Sequence, residues 1–255
     1  ISQTETRPKY GFISANGEIV ADPQFDFAGD FHEGLAWVVV NDKRGFIDKS
    51  GKFLIEPQFE LVGDFSDGLA WFLDLGKRGF LDMQGKKVIH PQFDYTKTFS
   101  EGFAAVVVSG EKWGFINLKG SIVIPPKYAA CGDFHSGLAA VKTGDLWGYI
   151  NTNDTMVIHP KFDEAFEFSC GRALVNMNGK YGYIDSVGRP AIDTRYDNGG
   201  AFSEGLAHVQ SGTKWGYIDT SGNVLIEFQY LAAEPFREGM ARVFTNTNEV
   251  KFIDA

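Results

Sequence analysis

The sequence predicts an all-β chain of tandem repeats, and three observations carry that reading. First, one pentapeptide returns seven times: Trp113-Gly114-Phe115-Ile116-Asn117 is echoed around Gly11, Gly45, Gly79, Gly148, Gly182 and Gly216, at steps of 34, 34, 35, 34, 34 and 34 residues. Second, apolar residues fall in short clusters bounded by turn residues, with no sustained i, i+3, i+4, i+7 pattern. That excludes the helical arrays whose periods are also close to about 34 residues. Third, runs such as Leu35-Ala36-Trp37-Val38-Val39-Val40 are apolar at both alternate sets of positions, so the strands need cover on both faces.

Within one repeat the elements follow in order. Gly45-Phe46-Ile47-Asp48 reads as a strand, and Lys49-Ser50-Gly51 as a tight turn. Lys52-Phe53-Leu54-Ile55 reads as a second strand, stopped by Pro57. A longer connection carries two aromatics at fixed phase, here Phe59 and Phe65, expected to plug the space between successive sheets. Gly68 gives a sharp entry into a third strand, Leu69 to Leu73, and Asp74 to Lys77 turn back into the next copy. A three-stranded unit buries too little alone, so neighbouring repeats must supply its core.

This unit, [W/Y]-G-[F/Y]-I-D-x-x-G-x-x-[V/I]-I-x-P-x-[F/Y]-D followed by F-x-E-G-L-A-x-V, resembles the WG (or KWG) repeat family of bacterial proteins. The likeness covers nearly the whole chain and departs at Arg44 and Arg78, at Arg172 and at Val250-Lys251. It implies a β-rich, propeller-like interaction module without shared catalytic residues. Residues 1–9 are expected to be an N-terminal tail. Residues 10–255 are expected to be a single domain, with repeats starting near 10, 44, 78, 113, 147, 181 and 215 and a partial eighth copy at 249–255. The expected architecture is a seven-bladed propeller-like ring of three- to four-stranded antiparallel units, and the alternative is an open curved β-array. Met240 to Phe244 supplies the strand that the N-terminal copy lacks, as a ring would require; the eighth copy at Lys251 to Asp254 is one more than a ring of seven needs.

Composition narrows the function classes. The formal charge is 24 − 33 = −9 without a basic run, unlike a nucleic-acid binder. The longest apolar run, about six residues, is far short of the roughly 20 of a membrane helix, so no membrane insertion is expected. Cys131 and Cys170 sit at different phases and are expected to be free core thiols. The chain starts at Ile1, so secreted and cytoplasmic locations stay equally open.

No Walker loop, GxSxG, HExxH or paired Cys motif occurs in the sequence, so neither catalytic residues nor a cofactor is assigned. Of the five histidines, His90 and His159 share one phase and His32 and His135 another, without metal-ligand spacing; they read as solvated or locally bonded loop residues. Asp48, Asp82, Asp185, Asp219 and Asp254, with Asn117 and Asn151, recur at one strand end. There a short polar side chain bonds its own turn backbone, although in a closed ring the set would form a circle of carboxylates. The five tryptophans fall in two phases and read as packing residues. Arg44 and Arg78 stand where Trp113 and Trp147 stand in later repeats, which argues that this position is half exposed, with its stem packed and its head in water. These four residues mark the candidate contact rim. The preferred expectation is a non-enzymatic scaffold for a protein partner. The alternatives are a carbohydrate-binding propeller with aromatic pockets, and a hydrolase or lyase that uses the acidic circle through Asp82 and Asp219.

Overall fold

The computed structural model describes residues 8–245, 247 and 249–254; residues 1–7 of the expected tail and Ala255 of the eighth copy lie outside them. Every regular element among the described residues is a strand. The strands form eight antiparallel sheets, and the chain divides into two compact units at Lys127/Tyr128. The complete sheets have four strands. In the first unit one runs Phe27–Ala28, Leu35–Val40, Lys43–Asp48 and Phe53–Phe59; in the second, another runs Glu164–Ser169, Arg172–Met177, Lys180–Ile184 and Pro190–Tyr196. The order within each sheet is the order in sequence. The additional strand of each sheet precedes the Leu-Ala strand, inside the connection between the two aromatics, and is often only two residues long. Around Leu61 it is reduced to a single bridge between Val62 and Phe72.

The second strand of the repeat does not stop at its proline. It runs on as Phe53–Phe59, with Pro57 inside it, because two features make proline tolerable. The strand is the edge of its sheet, where a missing N–H breaks no ladder. It also bulges: Arg44 pairs with Phe59 while Phe46 pairs with Ile55, so residues 56–58 bow out opposite Gly45. The bow lies directly on the glycine. A Cβ at Gly45 would meet Ile55 O at 2.4 Å and Pro57 N at 2.6 Å, and all seven signature glycines face the same backbone at 2.4 to 2.6 Å. The glycine of the pentapeptide is therefore required by close approach.

The hairpin entering the Leu-Ala strand is a two-residue turn with both residues in the left-handed region, such as Glu33 (φ 50°) and Gly34 (φ 87°), as a type I′ turn demands. Its acid also ties repeats together: Glu33 accepts from Gly68 N at 2.9 Å, Asp67 from Gly102 N at 2.7 Å and Glu204 from Gly239 N at 2.9 Å. At the Asp-x-x-Gly turn, Asp48 Oδ1 accepts from Ser50 N and Lys52 N, and Asp82, Asn117, Asn151, Asp185 and Asp219 repeat this pair of bonds. A side-chain hydrogen bond from Ser50 to Asp48 and one from Asn223 to Asp219, joined by these backbone bonds, hold both carboxyls below the usual carboxylate range. The recurring acids are turn caps.

The aromatic plugs are buried: Phe25, Phe93, Phe99, Phe134, Phe162 and Phe236 are among the core residues. The second plug packs against the aromatic that follows the signature glycine one sheet earlier. In the first unit Phe46–Phe65 centroids lie 4.8 Å apart and Phe80–Phe99 4.7 Å; in the second, Tyr149–Phe168 lie 5.2 Å apart and Tyr183–Phe202 4.7 Å. Where tyrosine replaces phenylalanine its hydroxyl adds a tie between sheets, donating to Phe166 O from Tyr149, to Gly200 O from Tyr183 and to Glu234 O from Tyr217, at 2.7 to 2.8 Å. Of the two cysteines only Cys131 is buried. Cys170 is exposed because it occupies the turn position that an acid fills in five of the other repeats and Ser136 in one, at φ 51°.

Three substitutions test this reading. Gly148→Ala forces the bulge off the strand and should destabilise by more than ~2 kcal/mol, whereas Gly110→Ala, with open space at its Cβ, should cost only about 1 kcal/mol for its positive φ. Tyr183→Phe keeps the ring packing but orphans Gly200 O and should cost roughly 1 kcal/mol. Urea denaturation midpoints check all three.

Candidate functional site

Each sheet carries a set of positions where the repeats differ from one another. The alanine of the Leu-Ala strand is invariant and sealed: Ala36, Ala70, Ala104, Ala139, Ala173, Ala207 and Ala241 are 0 to 1% exposed. The next residue is Trp37, Trp71, Ala105, Ala140, Leu174, His208 or Arg242. It lies beside the residue two before the second plug (Gly29, Gly63, Lys97, Gly132, Phe166, Gly200 or Glu234) and beside the one preceding the signature glycine (Arg44, Arg78, Trp113, Trp147, Tyr181 or Trp215). The register explains the contact. Gly29 N donates to Trp37 O, and Val39, two residues on, pairs with Arg44, which brings all three side-chain positions onto one face.

In the first unit this face holds interleaved aromatics and guanidinium groups. The Trp37 and Trp71 rings lie over Gly29 and Gly63, so closely that a Cβ on either glycine would fall 2.0 to 2.3 Å from indole Nε1. Arg78 is sandwiched with its guanidinium carbon 4.2 Å from the Trp71 centroid and 3.9 Å from that of Tyr95, and it donates to Thr96 O at 2.8 Å. Tyr95 meets Trp113 edge-on at 5.7 Å. Arg78 and Trp113 thus belong to one column, Trp71–Arg78–Tyr95–Trp113, which spans two consecutive sheets. Arg44 is separate: it donates to Glu60 O and stands 5.9 Å from Trp37. Arg44, Arg78, Trp113 and Trp147 are all half-buried, and the tryptophans are half-buried too, packed on glycine and arginine at the side of the sheet instead of inside the core. Tyr95, 50% exposed, joins Arg78 to Trp113; at its phase Phe27 is the one other aromatic, stacked on Tyr10, and the remaining repeats hold Leu61, Ala130, Glu164, Asn198 and Ala232, so the repeat motif does not mark it.

Trp147, in the second unit, lies elsewhere. It lines a cleft of 570 Å³ together with Gly132, Ala140, Phe166, Glu167 and Gly200. His135 Nε2 is 3.5 Å from Glu167 beside it. Two repeats on, the same positions hold Gly200, His208 and Trp215, with the imidazole 5.4 Å from the Trp215 ring. His208 Nδ1 is buried with no hydrogen-bond partner. No group of three His, Cys, Asp or Glu side chains that could hold a metal ion occurs among the described residues.

A profile of the WG-containing repeat matches residues 10–43, 45–77, 79–112, 113–147, 147–181, 181–215 and 215–246. The chain belongs to the WG-containing repeat family. No curated protein matches it in sequence. Among solved structures, the WG-repeat chain resembles a eukaryotic initiation factor, with a TM-score of 0.62 at 13% identity over 96% of this chain and 82% of the other. It also resembles BamB from Moraxella catarrhalis, with a TM-score of 0.51 at 8% identity over 90% and 84%. For the dihydro-heme d1 dehydrogenase NirN the TM-score is 0.52 at 12% identity over 99% and 67%. At these identities the likeness is one of fold, and the fold is that of the β-propellers.

Burial holds the His208 imidazole below its ordinary range, against a smaller opposing pull from Glu234. The unfolded chain therefore binds a proton that the folded chain refuses, and stability falls as pH drops through the ordinary imidazole pKa of about 6.5. His208→Gln should remove that part of the acid sensitivity. Thermal midpoints of both proteins between about pH 7.5 and about pH 5 check it.

Proposed function

We propose that this WG-repeat chain is a non-enzymatic scaffold that binds a protein partner through the variable faces of its sheets. The observation that carries the reading is the contrast between adjacent positions on one strand. Seven sealed alanines recur in every repeat, while the residue beside each varies from buried alanine and leucine (Ala105, Ala140, Leu174) to half-buried tryptophan and histidine (Trp37, Trp71, His208) and exposed Arg242. A constant frame with varied, half-exposed Trp, Tyr and Arg is the composition of a recognition surface, since these residue types dominate binding energy at interfaces. The column Trp71–Arg78–Tyr95–Trp113 is the part of that surface assigned to the first unit. A carbohydrate platform is less well supported here: stacking on sugar needs a free ring face, and Arg44 and Arg78 sit over Trp37 and Trp71.

The test is an affinity pull-down from the source organism's lysate and culture supernatant, comparing the wild-type chain with the Arg78→Ala/Trp113→Ala double variant. The expected outcome is a protein enriched by the wild type and bound at least ~10-fold more weakly by the variant, whose circular dichroism and thermal midpoint confirm that it is folded. Equal capture by both proteins, no enrichment at all, or turnover of a substrate by the chain would overturn the reading.

A further inference from the structure

The cleft at Trp147 is a recess that three other repeats fill from within. Wherever glycine stands two residues before the second plug, the facing residue on the Leu-Ala strand decides what covers it. Gly29 is covered by the Trp37 indole, Gly63 by the Trp71 indole and Gly200 by the His208 imidazole; a Cβ on any of the three would fall 2.0 to 2.3 Å from a ring atom. Gly132 is the exception. Its facing residue is Ala140, and a Cβ placed on Gly132 would have nothing nearer than the Ala140 Cβ at 3.6 Å and the Glu167 Cγ at 3.7 Å. At the remaining phases a large side chain restores the bulk, as Lys97 beside Ala105, Phe166 beside Leu174 and Glu234 beside Arg242. Only the Gly132/Ala140 pair is small on both sides, and the 570 Å³ cleft lies there.

We infer that this cleft is a binding site for one aromatic side chain of a partner polypeptide, with a cationic residue next to it in the partner's sequence. This deepens the scaffold reading and rests on it. The aromatic part is argued from the molecule's own template: in the same unit His208 lies 5.4 Å from Trp215 at an interplanar angle of 33°, over Gly200. Trp147 and Gly132 present the same wall and floor without the ring. Phe166, 44% exposed, supplies a second aromatic wall. A ring entering there gains stacking and apolar burial on both sides. The cationic part is argued from charge. Glu167, with 46% of its side chain exposed, is at the edge of the recess, and the chain carries a net charge of −9. The nearest basic group is His135, which is 3.5 Å away and charged only if protonated. The exposed Glu167 carboxylate at the rim favours a positive neighbour.

The test titrates the chain with N-acetyl-Trp-Arg-amide, N-acetyl-Trp-Glu-amide and N-acetyl-Ala-Arg-amide, following the Trp147 indole signal by NMR. The first peptide should bind and shift Trp147, the second should bind about 2- to 5-fold more weakly, and the third should leave Trp147 unmoved. Ala140→Trp, which recreates the Trp37-on-Gly29 arrangement, should fold with an unchanged or raised thermal midpoint and lose at least ~10-fold in affinity for the first peptide. Glu167→Gln should erase the preference for Arg over Glu. No shift at Trp147 up to about 10 mM peptide would overturn the inference. So would undiminished binding to folded Ala140→Trp, or failure of that variant to fold, because the recess would then not accept a ring. Equal binding of the Arg and Glu peptides would remove the cationic part. If Ala140→Trp still captures the protein that wild type enriches while Arg78→Ala/Trp113→Ala does not, the cleft inference fails and the scaffold reading stands.

Discussion

The contact on which every repeat depends is that of a bulged edge strand, with proline at the contact in five of the seven repeats, against a glycine with no side chain. With the Ile55 carbonyl 2.4 Å from where a Cβ would stand at Gly45, no larger residue fits while the bulge keeps its shape. The bulge in turn lets Phe59 return to register opposite Arg44, which fixes where the following connection begins. From there the aromatic that ends the strand, the plug six residues later and the left-handed turn after it are set at a constant phase. Spacing near 34 residues is the outcome of this geometry, and the apolar core follows the spacing.

A second layer of interactions joins one sheet to the next without adding to the core. Hairpin acids reach the turn N–H of the following repeat, and in the second unit tyrosine hydroxyls bond the carbonyl two residues before the second plug. Tyr183 bonds Gly200 O while His208 covers Gly200. Frame and recognition face thus meet at the same residue: the backbone is fixed from one side, so the side chain placed on the other is free to vary. The array tolerates tryptophan, alanine or arginine at that position because none of them carries the fold.

Much of this architecture was legible from pattern. The glycine steps give the repeats, the turn glycines with Asp or Asn give the caps, and the Phe59 and Phe65 phases give the plugs. What pattern did not give was the run of the edge strand through Pro57, because a bulge is a property of two strands and its proline looks like a stop in one. The short strand at Phe27–Ala28 falls within the expectation of three- to four-stranded units, which stays open between the two because two residues hold no periodicity. At the candidate surface, half-burial of Arg44, Arg78, Trp113 and Trp147 followed from arginine replacing tryptophan. Their separation did not: Tyr95 and Thr96 bind Arg78 into one column, while Trp147 faces a gap that depends on two residues, Gly132 and Ala140, being small together. Cys170 read as core because thiols usually are, but here it sits at the tip of a turn.

One interval between signature glycines is 35 residues, and the extra residue falls between Gly102 and Gly114. There the strands Phe103–Val107 and Trp113–Asn117 are joined by residues 108–112, where Leu69–Asp74 and Lys77–Asp82 are joined by two residues alone. The neighbouring turns and the bulge are unaltered by the added length, so this loop is decoupled from the phase that organises everything else. It is a natural point of length evolution, and for the engineer it is the position at which a reporter or affinity peptide could be spliced into the chain with the repeats on either side left in step.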